Sequence, residues 1–200
     1  MRYKAGKTEV INPDINSAEW EKAEWAMLTD TGWVEVKEPI ETKFKLLRGP
    51  EGISVMFHTN EKNLRAEITE ENGNVCKDSC MEFFFKPDPW NTNYINFEIN
   101  PKCVAHIGLG KDRYDRLHIE EDRATFAIES IPNDGDWTLK YYIPDAFLHK
   151  YFENINYVCR ANFYKCGNKT QQPHYLCWNP VPKQRCSFHN PDQFGIVHFE

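Results

Sequence analysis

Two glutamates stand in the most aromatic stretch of the chain, CMEFFFKPDPWNTNYINFEINP (80–101). The stretch alternates like two β-strands around a Pro-rich loop, and Glu82 and Glu98 lie in the middle of the two strands. Alternation places the apolar residues of each strand on one face and both glutamates on the other. If the loop at 87–93 closes the hairpin symmetrically, Glu82 lies directly opposite Glu98, whereas a slip of two residues makes them diagonal neighbours.

Two carboxylates that face each other across a sheet repel, so the pair needs a compensating group. We expect Arg160 to be that group, because it shares one face of the segment VCRANFYK (158–165) with Asn162. A guanidinium between two carboxylates satisfies both their charge and their hydrogen bonding. The alternative is a plain solvated outer face. The predicted polar face consists of Glu82, Asn96, Glu98, Arg160 and Asn162.

Such a face suits two kinds of chemistry. Sugar hydroxyls form hydrogen bonds with carboxylate, amide and guanidinium groups. The C–H faces of sugars pack on aromatic rings, and Trp90 in the hairpin loop is a candidate for such a ring. Glycoside hydrolysis likewise needs two carboxylates, about 5–9 Å apart, and opposed strand positions have Cβ atoms about 5 Å apart. Because a shallow sheet face rarely encloses a substrate, we favour binding over a glycosidase that uses Glu82 and Glu98.

Short segments with strand patterns, separated by turns such as NDGD (133–136), must position these groups. Helix signals are limited to residues 17–27, with Ser17 as the N-cap, and residues 145–152. We predict an all-β fold over residues 1–200 as one domain: a two-sheet antiparallel β-sandwich, immunoglobulin-like or jelly-roll in type, with one or two short helices. The predicted strands are 41–48, 53–59, 80–86, 93–100, 103–110, 123–130, 137–144, 156–165, 174–178 and 195–200.

The composition argues against several classes of partner. The net charge is −6 and no Lys/Arg cluster occurs, which argues against nucleic-acid binding. No apolar run approaches the roughly 18–20 residues that cross a bilayer, so we expect no membrane partner. The first residues lack an apolar signal region. We therefore expect a cytoplasmic location, or a secreted one if a leader has been trimmed.

Seven cysteines occur without any CxxC pair. An odd number leaves at least one thiol free within a monomer. Reduced thiols that pack as small hydrophobes are favoured over a zinc site.

An ordered set of short motifs spans most of the chain, and together they resemble carbohydrate-binding module family 9. The resemblance implies a two-sheet β-sandwich that binds saccharides, typically at chain ends, without catalysis, with a carbohydrate-active enzyme as a candidate neighbour. The motifs are the segment around Trp20, CKDSCMEFFFKP (76–87), NYINFEINP (93–101), GDWTLKYYIP (135–144), RANFYKCG (160–167), HYLCWNPV (174–181) and SFHNPDQFGIVHFE (187–200).

The resemblance assigns roles to three polar residues of the predicted face. Glu82 matches a glutamate of the family, which implies contact with sugar hydroxyls. Asn162 falls where the family uses an amide side chain, and Glu98 falls where some members have arginine.

The aromatic positions depart from the family. Members that bind xylan and cellulose hold a sugar between two tryptophans, and those positions are Cys76 and Phe188 here. The first platform is therefore missing and the second is reduced to Phe188, and Trp90 is the candidate replacement.

The family can also bind calcium structurally. The acidic segments ITEENG (68–73), IEED (119–122) and NDGD (133–136) are candidate contributors, although acidic turns are usually just solvated. No metal ligand is assigned.

Alternatives to a saccharide-binding module stay open. One is an interaction or structural β-sandwich whose sugar site has diverged, which the changes at Cys76 and Phe188 favour. The glycosidase is another. A haem-binding sandwich would need axial ligands, but no pattern marks the candidates Met56, Met81, His58 or His106 as ligands.

Overall fold

The computed structural model describes residues 1–199, apart from the side chain of Arg185. Within these residues the backbone forms fourteen strands, one α-helical turn and five 3-10 turns, and no helix is long and apolar enough to cross a membrane. The strands are β1 (Arg2–Lys4), β2 (Gly6–Lys7), β3 (Ala26–Met27), β4 (Thr42–Arg48), β5 (Gly52–Thr59), β6 (Ser79–Lys86), β7 (Tyr94–Ile99), β8 (Ala105–Gly110), β9 (Arg116–His118), β10 (Glu129–Asn133), β11 (Asp136–Pro144), β12 (Val158–Gly167), β13 (Tyr175–Cys177) and β14 (Gly195–His198). The helical segments are α1 (Asp145–Leu148) and the 3-10 turns Ala18–Lys22, Val75–Lys77, Arg123–Phe126, Lys183–Arg185 and Pro191–Gln193.

The strands form two sheets, which confirms the predicted β-sandwich. In the described residues, one sheet has eight strands in the order β1-β14-β12-β6-β7-β8-β9, with β13 also paired to β12. The other has six in the order β10-β11-β5-β4-β2, with β3 also paired to β4. The pairs β1–β14 and β2–β4 are parallel rather than antiparallel. They arise because the N-terminal segment crosses from one sheet to the other and covers an edge of each.

One predicted strand is wrong in its first half. Residues 123–126 form a 3-10 turn, because the Asp122 side chain accepts a hydrogen bond from the backbone of Ala124. Ala127 then takes a left-handed conformation with φ of 41°, which ends the turn, and the strand begins only at Glu129. The predicted helix at 17–27 shortens to a 3-10 turn, Ala18–Lys22, capped by Ser17 as expected.

The core between the sheets is built from aromatic rings on the inward faces of their strands. Phe163 on β12 lies between Phe44 and Phe83, with ring centroids 3.4 Å and 4.7 Å away and nearly parallel planes. This stack joins the two sheets and orients β6 and β12, whose other faces carry the predicted site.

The outer face of the eight-stranded sheet is also covered. A second group of buried side chains, which we call the outer cluster, packs on that face and comes partly from segments outside the sheet, such as the turn Val75–Lys77 and the C-terminal loops. The polar residues of β6 and β7 are therefore mostly shielded from solvent, and the side chains at the border of the cluster, Cys76, Trp33 and Tyr175, are only partly buried. The outer cluster consists of Val75, Cys80, Phe84, Tyr94, Val104, Tyr164, Cys166, Cys177, Val181, Phe188 and Phe194.

Candidate functional site

The two glutamates lie directly opposite each other on the outer face of the eight-stranded sheet. The β6–β7 hairpin pairs Glu82 with Glu98, as the symmetric register predicts. The same cross-strand row continues to Tyr164 on β12 and to His106 on β8. Since opposed residues have Cβ atoms about 5 Å apart, the row places the two carboxyl groups between a phenol and an imidazole.

Both carboxyl groups are buried, so the alternative of a solvated face is wrong. Only 2% of Glu82 and 8% of Glu98 is exposed. Burial raises the pKa of Glu82 well above its usual range, and the charge of Glu98 raises that pKa further. Burial also raises the pKa of Glu98, against the lowering effect of His106 and Arg116. The pair therefore holds a proton to higher pH than exposed glutamates do.

Glu98 is held in place by Asn96, and Asn96 in turn by Arg116. Nδ2 of Asn96 donates to Oε1 of Glu98 at 2.9 Å, while the Arg116 guanidinium donates to Oδ1 of Asn96. Arg116 also lies 4.4 Å from the ring centroid of Tyr94 and donates to the carbonyl of Gly110 at 3.0 Å. Because both ends of its amide are engaged, Asn96 positions Glu98 rather than offering a free ligand contact.

The groups next to Glu82 are thiols rather than a cation paired with it. The Cys166 thiol lies within hydrogen-bonding reach of the Glu82 carboxyl group, and Cys80 lies opposite Cys166 across β6 and β12. Burial raises the pKa of both thiols well above the usual value, which keeps them neutral. Lys165, whose charge lowers the pKa of Glu82, forms its ion pair with Glu61. All seven cysteines of the chain are unpaired.

Arg160 does not lie between the glutamates, and that prediction is wrong. It occupies the predicted face of β12 but pairs with Lys86, four residues along β6 from Glu82. At about 3.3 Å per residue, this separation is about 13 Å. The exposed Arg160 side chain donates from Nη1 to the carbonyl of Phe194 at 3.2 Å.

Asn162 and Phe188 are occupied by contacts within the protein. Nδ2 of Asn162 donates to the carbonyl of Asn179 at 2.8 Å, and its Oδ1 accepts from the backbone amides of Asn179 and Phe163 at 2.9 Å. Asn162 thus anchors the loop after β13, and its role as a ligand contact stays a prediction. The Phe188 ring stacks on Tyr164, with centroids 4.1 Å apart and planes at 13°.

An aromatic ring that the sequence did not predict for this face, that of Trp33, packs on the outer cluster. Trp33 is half-buried, and its ring centroid lies 5.1 Å from that of Phe188 and 4.6 Å from that of Tyr175. Burial raises the pKa of Tyr175 to about 12, and the charge of Glu82 contributes to that shift, which places Tyr175 near the glutamate row. Trp33 lies in a segment without a strand pattern, so no sequence signal pointed to it.

Cys76, where the resemblance lacks its first tryptophan, borders the same carboxyl pair. Its thiol is half-buried, and burial raises its pKa to about 12, with further contributions from the charges of Glu98 and Glu82. Trp90, the candidate replacement, lies at the tip of the β6–β7 hairpin, where it is 91% exposed and shares a hollow with Arg160. It does not replace the missing platform.

His106 ends the glutamate row on β8, and His118 on β9, opposite Gly108, packs against it. The rings of His106 and His118 lie 4.9 Å apart, and Nδ1 of His106 lies 3.0 Å from the carbonyl oxygen of Asn72. The alternation in RLH (116–118) could have placed Arg116 and His118 on one face, but only the pairing of β9 with β8 brings them to the site.

The acidic segments considered for calcium are engaged by protein groups. Asp134 accepts from the backbone of Asn63, Glu71 pairs with Arg123, and Glu121 pairs with Lys150. Within the described part of the chain, no group of three or more His, Cys, Asp or Glu side chains could hold a metal ion. Calcium binding stays an untested prediction.

The absence of a side chain at Gly108 lets Asn96 and Arg116 pack closely against the backbone of β8. A Cβ at this position would lie 2.8 Å from Oδ1 of Asn96 and 3.0 Å from Nη2 of Arg116. We expect Gly108→Ala to lower the free energy of unfolding by about 1–3 kcal/mol through overpacking, as measured by urea denaturation. An unchanged stability would contradict the close contact between the arginine and the amide.

Comparisons with known proteins agree with this architecture. The model of carbohydrate-binding family 9 matches residues 16–199. A putative carbohydrate-binding protein from Bacteroides uniformis ATCC 8492 is 26% identical, with a TM-score of 0.84 over 100% of this chain and 99% of that one.

More distant structures show the same fold. A family 9 module from Caldicellulosiruptor kristjanssonii, solved with glucose and with cellotriose, is 11% and 10% identical, with a TM-score of 0.70 in both cases. These matches cover 100% of this chain and 96% and 94% of the other chains. No curated protein sequence matches the chain. Since the family model spans far more than half of its length, the chain belongs to carbohydrate-binding family 9.

Proposed function

We propose that the outer face of the eight-stranded sheet binds a mono- or oligosaccharide through Glu82 and Glu98, without catalysing its conversion. The observation that carries the proposal is the opposed pair of buried carboxyl groups. Burying charge that lacks a full set of partners is costly. Sugar hydroxyls can donate hydrogen bonds to the carboxyl groups. Two neighbouring hydroxyls would be stronger donors to them than the surrounding thiols are.

The surroundings of the pair support a sugar over other hydroxyl-bearing ligands. Tyr175 lies near Glu82 and Trp33 packs on Tyr175, so aromatic surface on which the C–H face of a pyranose can pack is present on this side of the pair. His106 and His118 offer ring nitrogens on the side of Glu98. Family membership and the bound glucose and cellotriose of the distant structures favour the same ligand class.

Isothermal titration with a panel of mono- and disaccharides tests the proposal, with each sugar used before and after borohydride reduction. We expect at least one sugar to bind, and Glu82→Gln to weaken that binding about tenfold or more, since hydrogen bonds to charged groups are the stronger kind. Binding that disappears on reduction would identify recognition of a chain end. Glu153→Gln, the same change at an exposed glutamate, should bind like the wild type.

Two outcomes would replace this proposal. If no sugar binds while a protein partner does, the chain is an interaction domain with a diverged site, which the internal contacts of Phe188 and Asn162 favour. If oligosaccharides are cleaved and Glu82→Gln abolishes product release, the carboxyl pair acts as a glycosidase.

A further inference from the structure

A second surface lies at the end of the eight-stranded sheet where the β6–β7 loop turns. It is a hollow of about 540 Å³ lined by Trp90, Asn156, Tyr157, Val158, Arg160 and Ile196, among others. We call it the hairpin-end surface. It holds two of the predicted ligand residues, Trp90 and Arg160, which the structure separates from the glutamates.

The hairpin-end surface exposes two aromatic side chains on loops that are hydrogen-bonded to each other. Trp90 is 91% exposed and Tyr157 is 80% exposed, although large rings are usually buried in soluble proteins. The Asp88 carboxylate accepts from the Trp90 backbone at 3.0 Å and from Nδ2 of Asn156 at 3.4 Å. The backbone N–H of Asn156 donates to the carbonyl of Pro87 at 3.1 Å. Because the two loops are hydrogen-bonded to each other, the backbone positions from which the rings project are fixed before a ligand binds.

A row of cations crosses the strands beside these rings. Arg160 lies opposite Lys86 on one neighbouring strand and opposite Ile196 on the other, and Ile196 pairs in turn with Arg2. Like charges directly opposite each other destabilise a sheet. Asp192 lines the adjoining hollow with Arg2 and Arg160, and Asp88 lies beside Trp90 and Asn156, so these two carboxylates face the three cations Arg2, Lys86 and Arg160. The local excess of positive charge stands out in a chain whose net charge is −6.

We propose that the hairpin-end surface binds an acidic oligosaccharide, one that carries uronate groups, as a second ligand distinct from that of the glutamate pair. The sugar rings pack on Trp90 and Tyr157, and the carboxylates pair with Arg160 and its neighbouring cations. Guanidinium groups match carboxylates in a bidentate geometry, which explains an arginine at the centre of the row. The Glu82–Glu98 pair lies about 13 Å along the strand from Arg160. Its negative charge would repel an acidic sugar from the glutamate site, so the two surfaces select different sugars.

Titration with trigalacturonate at low salt, compared with a neutral trisaccharide, tests this proposal in the full chain. We expect trigalacturonate to bind more tightly than the neutral sugar, and Arg160→Gln and Trp90→Ala each to weaken it about tenfold. Trp25→Ala, at a partly exposed tryptophan packed on Lys43 and Lys45 of the other sheet, should leave this binding unchanged.

The outcomes separate this proposal from that for the glutamate pair. Glu82→Gln should bind trigalacturonate as the wild type does, even if it no longer binds neutral sugars. Absence of trigalacturonate binding overturns the proposal, whatever the neutral sugars do. The proposal is also overturned if polyglutamate binds as tightly as trigalacturonate and Trp90→Ala does not weaken the binding of polyglutamate. Charge alone would then account for the affinity.

Discussion

Glu82→Gln should raise the melting temperature at pH 7 by about 5 °C while it weakens saccharide binding. Glu82 is buried opposite Glu98, and burial is the largest cause of its raised pKa. At neutral pH the folded chain must either bury a second negative charge or hold a proton that the unfolded chain has released. Glutamine has the same shape without the charge, and we expect it to add about 2 kcal/mol to the free energy of unfolding.

The effect depends on pH with a definite sign. The ordinary pKa of this carboxyl group is 4.5 and the folded-state value lies well above it. The folded chain therefore binds more protons than the unfolded chain, and its stability falls as pH rises from 4.5 through the folded-state pKa. The advantage of Glu82→Gln should be largest at neutral pH and vanish below about pH 4.5.

Denaturation of both proteins between pH 4 and pH 8 measures this difference. Burial lowers the pKa of His174 and His189 to about 3. Their contribution to the free energy of unfolding is therefore lost as pH falls below 6.5 toward 3. This acid destabilisation runs in the opposite sense, but it is common to both proteins and cancels in their difference. If Glu82→Gln is less stable than the wild type at pH 7, the protein itself satisfies the carboxylate, and the argument for a ligand there fails.

The register of the site hairpin was predictable because it is local. A symmetric loop at 87–93 and the alternation of both strands suffice to place Glu82 opposite Glu98. The face of Arg160 was also predicted correctly, since alternation alone determines it. Its position along the sheet was not, because β6 and β12 are distant in sequence and no turn between them sets their register.

The groups that complete the site come from distant parts of the chain. Arg116 reaches Asn96 only because β9 pairs with β8, and Trp33 reaches Phe188 from a segment without regular structure. At residues 123–126 a local pattern itself misled the prediction. These residues alternate as a strand does, but the Asp122 cap and the left-handed conformation of Ala127 stabilise a 3-10 turn. Local patterns thus predicted strands and faces, while contacts across the fold required the structure.

The second large effect is expected at a buried ion pair whose lysine is the neighbour of Tyr164 on β12. Lys165 is fully buried, and its Nζ lies 2.6 Å from Oε2 of Glu61. It also donates to the carbonyl of Cys166 at 2.9 Å and to Nε2 of His174 at 3.0 Å. The Ser79 hydroxyl donates to the other oxygen of Glu61 at 2.9 Å. The ammonium group therefore has three acceptors, and only 3% of Glu61 is exposed.

Lys165→Met should lower the free energy of unfolding by about 3–5 kcal/mol, because it leaves the buried carboxylate of Glu61 without its cation. The double variant Lys165→Met/Glu61→Leu removes both charges and should recover much of that loss, as replacement of a buried pair by apolar side chains often does. Urea denaturation of the wild type, both single variants and the double variant gives the coupling free energy. Lys102→Met, at an exposed lysine, controls for the loss of one positive charge. Strict additivity of the two single changes would show that the lysine and the glutamate do not depend on each other, and that the carboxylate is stabilised by Ser79 and solvent instead.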